Sequence, residues 1–206
     1  MEITLNGANI VVLARSHNPA IPSKDWLEKK NIIIEEPINF VNTPVFSLFE
    51  TKNFALTVDQ ERWQIALKVI NQVNIEAVPD ITKKYVKALP ETPYHAIGLN
   101  FQYIGKPTKG ENCFEILKSI FVSDKQKIKT SINSVDFNFG GIIYFDQGEF
   151  KIKIAIDPLL KTKKYVAINF SYHLESKEMK KILSNLGKFK KSAKQSNDIA
   201  NKLLGG

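Results

Sequence analysis

Phe150-Lys151-Ile152-Lys153-Ile154-Ala155-Ile156 is the stretch that decides the fold class. Phe150, Ile152, Ile154 and Ile156 fall on one side of an extended chain, and Lys151 and Lys153 fall on the other. Successive side chains of a strand point to opposite faces, so this is a strand with one buried face and one wet face. That alternation belongs to antiparallel sheets, because strands of all-parallel sheets are apolar on both sides.

The same period recurs outward from this segment. Val166, Ile168, Phe170, Tyr172 and Leu174 repeat it, as do Ile97, Leu99, Phe101 and Tyr103, and Trp63, Ile65, Leu67 and Val69. The inward set Trp63, Ile65, Leu67, Ile97, Leu99, Phe101, Phe150, Ile152, Ile154, Ile168 and Phe170 is the expected core. Further strands are expected at 9–14, 32–40, 45–50, 54–58, 126–139 and 142–146, the long one with a bulge near Ser134 and Val135. Helices are fewer. Ser23 is an N-cap for 24–30. Pro79 suits the first turn of a helix over 79–89, which Pro90 and Pro93 close. Residues 111–122 carry Phe114, Leu117, Ile120 and Phe121 at helical spacing. The last helical stretch, 176–204, puts Ile182, Leu186, Phe189 and Ala193 on one stripe, with Gly187 dividing it.

The order strand, helix, several strands, helix therefore occurs twice. Asp59-Gln60-Glu61-Arg62-Trp63-Gln64-Ile65 and Asp146-Gln147-Gly148-Glu149-Phe150-Lys151-Ile152 share a pattern at an offset of 87 residues. The expected fold class is α+β: a tandem duplication of a strand–helix–four-strand–helix unit, with antiparallel sheet covered by helices. The expected units are 1–92, 93–186 and a basic helical tail, 187–206. This layout resembles the TATA-box-binding-protein-like fold, in which two such units join their sheets into one curved saddle. The resemblance implies architecture only. The family's Phe-x-x-Gly-Lys hairpin has no counterpart in Phe49-Glu50-Thr51-Lys52 or in Phe137-Asn138-Phe139-Gly140-Gly141, so no functional residue follows from it.

Composition narrows the class further. The 206 residues are 43% hydrophobic and 24% charged, which is ordinary for a globular chain. No run approaches the length of a membrane span, and Met1–Leu5 has no signal-peptide character, so a cytoplasmic location is expected. One cysteine, Cys113, excludes an internal disulfide and reads as a buried structural thiol. The net charge of +8 is uneven: residues 176–206 hold +6 of it, and the other 175 residues hold +2. Arg15 and Arg62 are the only arginines against 27 lysines, whereas bidentate phosphate and guanine recognition favours arginine.

Catalytic spacings are missing. His17, His95 and His173 have no metal-ligand spacing, and no phosphate loop or nucleophile elbow occurs, so neither a metal site, a cofactor nor a catalytic residue is assigned. The turn Gly105–Gly110 reads as a helix entry, and Glu35-Glu36 as a strand pair pointing to opposite faces. Three classes of function remain. The first is a non-catalytic binding or assembly protein that holds another protein, or its own copy, through its sheet. The second is a nucleic-acid-associated protein contacting phosphates or another anion through Lys180, Lys181, Lys188, Lys190, Lys191 and Lys194. The third is an enzyme whose site assembles only in three dimensions.

Overall fold

A computed structural model describes residues 1–108, 112–132, 137–159 and 164–204. Its described residues form β1 (Glu2–Ala14), α1 (Lys24–Lys29), β2 (Asn39–Asn42), β3 (Ser47–Glu50), β4 (Phe54–Val58), β5 (Arg62–Leu67), α2 (Gln72–Ala88), β6 (Tyr94–Lys106), α3 (Cys113–Phe121), α4 (Lys125–Ile132), β7 (Gly141–Gln147), β8 (Phe150–Pro158), β9 (Val166–Glu175), α5 (Met179–Leu186) and α6 (Phe189–Leu204). The class is α+β. The nine strands make one sheet in the order β2-β3-β4-β5-β1-β6-β9-β8-β7, and the ladders are antiparallel throughout. β1 and β6, the longest strands, pair at its centre.

Alternation does what the sequence requires of it. All eleven expected core residues are buried. They share the sheet face on which α2, α5 and α6 pack. Tyrosines at the helix–sheet boundary satisfy their hydroxyls there, as buried tyrosines must: Tyr103 Oη donates to Ala193 O at 2.8 Å, and Tyr172 Oη lies 2.9 Å from Ser196 Oγ. The Phe101 and Phe189 rings meet at 4.9 Å between centroids. The expected break at Gly187 separates α5 from α6. α6 packs to its end rather than fraying: Ala200 and Leu204 are buried, and the Met1 amino group donates to Leu204 O.

Several expectations need correction. The strand expected over 126–139 is instead α4 up to Ile132, with 133–136 and so the expected bulge outside the described residues. Lys127-Ile128-Lys129 mimics a strand, but Ile128 and Ile132 are also one helical turn apart, and Asp124 caps the turn by accepting from Lys127 N at 2.8 Å. Among the described residues the second half thus contributes four strands and the first five. The helix expected at Pro79 starts at Gln72, because the Asn71 side chain accepts from Asn74 N at 2.8 Å and serves as N-cap. Pro79 sits inside it, buried, at the cost of one helical hydrogen bond. No strand begins at 32. Asn31 takes a left-handed conformation, φ 52°, just past the end of α1, and turns the chain so that Ile32 and Ile33 enter the core as a loop. Glu35 and Glu36 therefore lie on no strand; they bind Asn53 and Lys24 respectively.

The two Asp-Gln segments also form different turns. Asp59 Oδ1 accepts from Glu61 N and Arg62 N, making a side-chain-closed turn from β4 into β5, beside the central β1. Gln147 to Phe150 is a two-residue hairpin carried by Gly148 at φ +59°, joining the edge strand β7 to β8. The strand pair that matches β4–β5 in position is β8–β9. The 87-residue offset is a local likeness of sequence across two unlike turns: Asp59 closes its turn with its own side chain, whereas Asp146 lies within β7 opposite Lys151.

Candidate functional site

The six lysines of the C-terminal segment separate into distinct settings. Lys181 and Lys188 close on Glu149, which tops the β7–β8 hairpin, at 2.9 and 3.6 Å. Asn185 of the same helix donates to Glu149 at 2.8 Å. The Lys181 hydrogen bond, then Asn185 and the two lysine charges, hold the Glu149 carboxyl down from 4.5 to about 2. Lys190 pairs with Glu76 of α2. Lys180, Lys191 and Lys194 are exposed and have no ion pair among the described residues.

Glu149 therefore pins α5 to a hairpin. Its folded-state pKa lies below the unfolded value, so its contribution is present above about pH 4.5 and disappears as pH falls toward 2. Acid titration of stability by circular dichroism should show this loss in the parent protein. Glu149→Gln should be flatter over the same window.

His17, unassigned by sequence, is buried among aromatic rings. Its Nε2 lies 3.2 Å from Val12 O and its Nδ1 3.2 Å from Tyr85 Oη. A carbonyl only accepts, so Nε2 carries the proton, and Tyr85 donates to Nδ1. Burial lowers the His17 pKa from 6.5 and raises that of Tyr85. The Tyr85 ring stacks on Trp63 at 4.9 Å. Both His17 ring nitrogens and the Tyr85 hydroxyl are engaged, which makes the His17–Tyr85 pair a packing element, whereas the buried Trp63 Nε1 finds no partner among the described residues. Cys113 is buried with its pKa raised by desolvation, as expected of a structural thiol. His173 lies on the open sheet face beside Glu175. Among the described residues no three His, Cys, Asp or Glu side chains gather as a metal ion requires, and no helix is long and apolar enough to cross a membrane. Of the turn expected at 105–110, Gly105 and Lys106 instead end β6, and the rest runs past Thr108 out of the described residues.

Two surfaces stand out instead. The first is the sheet face opposite the helices. A row runs across it through Ala55, Ala66, Asn9, Asn100, Ser171, Lys153 and Tyr144. The next row holds Thr57, Gln64, Val11, Gly98, His173, Lys151 and Asp146. Asn100 Nδ2 donates to Asn9 Oδ1 at 2.8 Å across the central strand pair. The face is small, amide-rich and mixed in charge.

The second surface is the β2 edge. All four residues of β2 are exposed, and β2 pairs only with β3. Around it Ile34, Ile38 and Val45 are 72%, 67% and 77% exposed, and Phe40 and Phe46 each 40%. Phe40 and Phe46 fall within the stretches expected as strands at 32–40 and 45–50, but alternation does not tell which strand ends the sheet. At the opposite edge Ile142 and Tyr144 of β7 are also exposed, with Lys153 Nζ 6.0 Å from the Tyr144 ring. No protein-family model matches the chain, and no curated protein matches it.

Proposed function

We propose that this is a non-catalytic recognition or assembly protein that takes an extended segment of another polypeptide along the β2 edge of its sheet. The observation that carries the reading is the coincidence of an unpaired strand edge with six large exposed apolar side chains at positions 34, 38, 40, 41, 45 and 46. An open edge offers a row of backbone donors and acceptors, and flanking apolar groups reward the strand that pairs with it. Clustered exposed apolar groups of this kind mark interaction sites on soluble proteins. Solitary edges are usually protected by lysine, proline or a covering loop, and β2, Asn39-Phe40-Val41-Asn42, carries neither lysine nor proline.

We also infer that the chain arose by duplication, giving a saddle-like sheet with the β1–β6 pair at its pseudo-dyad. The support is positional. β5 and β9 each return to pair with the first strand of their own half, and a helix follows each of them on the same face.

The test of the recognition reading is cross-linking mass spectrometry and sedimentation on the full chain, beside a Val45→Lys/Phe46→Lys variant. Cross-links from a partner polypeptide, or from a second copy, are expected to map to residues 34–46 and to be lost in the variant with its melting temperature unchanged. Identical behaviour of the two proteins, or cross-links confined to the helical face, would reject it.

A further inference from the structure

A groove of about 660 Å³ opens on the helical side, between α2 and the start of α6. Its floor is apolar, made by Leu5 of β1, Ile75 of α2 and Ala193 of α6. Leu5 reaches this face because the β1–β6 register shifts between Leu5 and Gly7, which puts Leu5 opposite buried Tyr103. Lys190, Lys191 and Lys194 form one rim. Lys190 is neutralised by Glu76, whereas Lys191 and Lys194 have no carboxylate partner among the described residues. Lys194 stands one helical turn from both other lysines, a spacing at which like charges repel. The lysine stems add apolar wall while their ammonium groups stay at the mouth.

We propose that this groove binds a small amphipathic carboxylate, of the chemistry of a medium-chain fatty acid, with its chain on Leu5, Ile75 and Ala193 and its head group between Lys191 and Lys194. The volume lies within the range of small-molecule sites, which are mostly apolar with a few placed polar groups. The charge fixes the sign of the head. An unpaired lysine pair satisfied by one carboxylate makes charge-assisted hydrogen bonds, and the apolar floor excludes a fully hydrated anion as the preferred occupant. This site is separate from the β2 edge, so the failure of either proposal leaves the other standing.

The test is calorimetric titration of the full chain with laurate below its micellar concentration, beside dodecanol and dodecylammonium, which keep the chain and change the head. Laurate is expected to bind at one site per chain, and both analogues at least about tenfold more weakly, a difference of about 1.4 kcal/mol or more. Lys191→Gln/Lys194→Gln, at two exposed positions, is expected to weaken laurate by a similar factor while leaving the melting temperature of the unliganded protein unchanged. Failure of laurate to bind, or equal affinity for the three amphiphiles, would overturn the proposal. So would a single-stranded oligonucleotide that binds with steep salt dependence, displaces laurate and loses affinity in the same variant, since the lysines would then serve phosphates. Binding to anionic lipid vesicles with no affinity for free laurate would overturn it as well.

Discussion

Phe170→Ala is expected to destabilise the protein by about 3–5 kcal/mol. Phe170 is 1% exposed, at the middle of β9, with its ring edge-on to Tyr103 at 5.7 Å. Removing it deletes most of an aromatic side chain and leaves a cavity in the core beside Tyr103, and close-packed interiors relax only partly into such space. Against a total stability of roughly 5–15 kcal/mol the loss is large. For a chain of this size it corresponds to a fall in melting temperature of about 6–20 °C. Tyr144→Ala is the control. Tyr144 is 70% exposed on the opposite face, and its loss should leave the melt within about 0.5 kcal/mol of the parent. Equal shifts for the two variants would mean that the helices cover the other face.

His17→Ala should cost about 2–4 kcal/mol, because it opens a cavity and takes away the hydrogen-bond acceptor of the buried Tyr85 hydroxyl. The pH dependence separates this from a pure packing loss. The His17 pKa is held below 6.5 in the folded chain by burial, so the unfolded chain binds the extra proton as pH falls through 6.5. Stability contributed by neutral His17 is therefore full above about pH 6.5 and declines progressively below it. Denaturant melts at pH 7.5 and pH 5.5 should show a fall in the parent that is reduced in His17→Ala. An unchanged pH slope in the variant would remove the assignment of a neutral, doubly bonded imidazole.

His17 also shows where sequence reading stops. Its neighbours Ser16, Asn18 and Pro19 give no hint of a buried ring, because Tyr85 is 68 residues away and reaches it only when α2 lies over the sheet. Glu149 is similar. Alone it is a turn residue, and its pairing with Lys181 and Lys188 exists only because α5 returns to the β7–β8 hairpin. The packing of α5 on that hairpin and of α6 beside α2 also divides the lysines of the basic segment into paired and unpaired members.

What the chain order determined by itself was local and periodic. The alternation at 150–156 and 166–174 settled the antiparallel class and the buried face, since a strand's side chains alternate whatever its neighbours are. The Ser23 cap, with its hydroxyl accepting from Trp26 N, and the break at Gly187 are equally local. Two ambiguous segments were also settled by local caps, Asp124 for Lys125–Ile132 and Asn71 for Gln72–Ala88, which compete with the strand-like and proline signals beside them. The order of strands, the bareness of the β2 edge and the groove over Leu5 belong to the tertiary structure. They depend on which surfaces meet across long sequence separations, and hydrophobic burial fixes that a residue faces inward without naming what it faces.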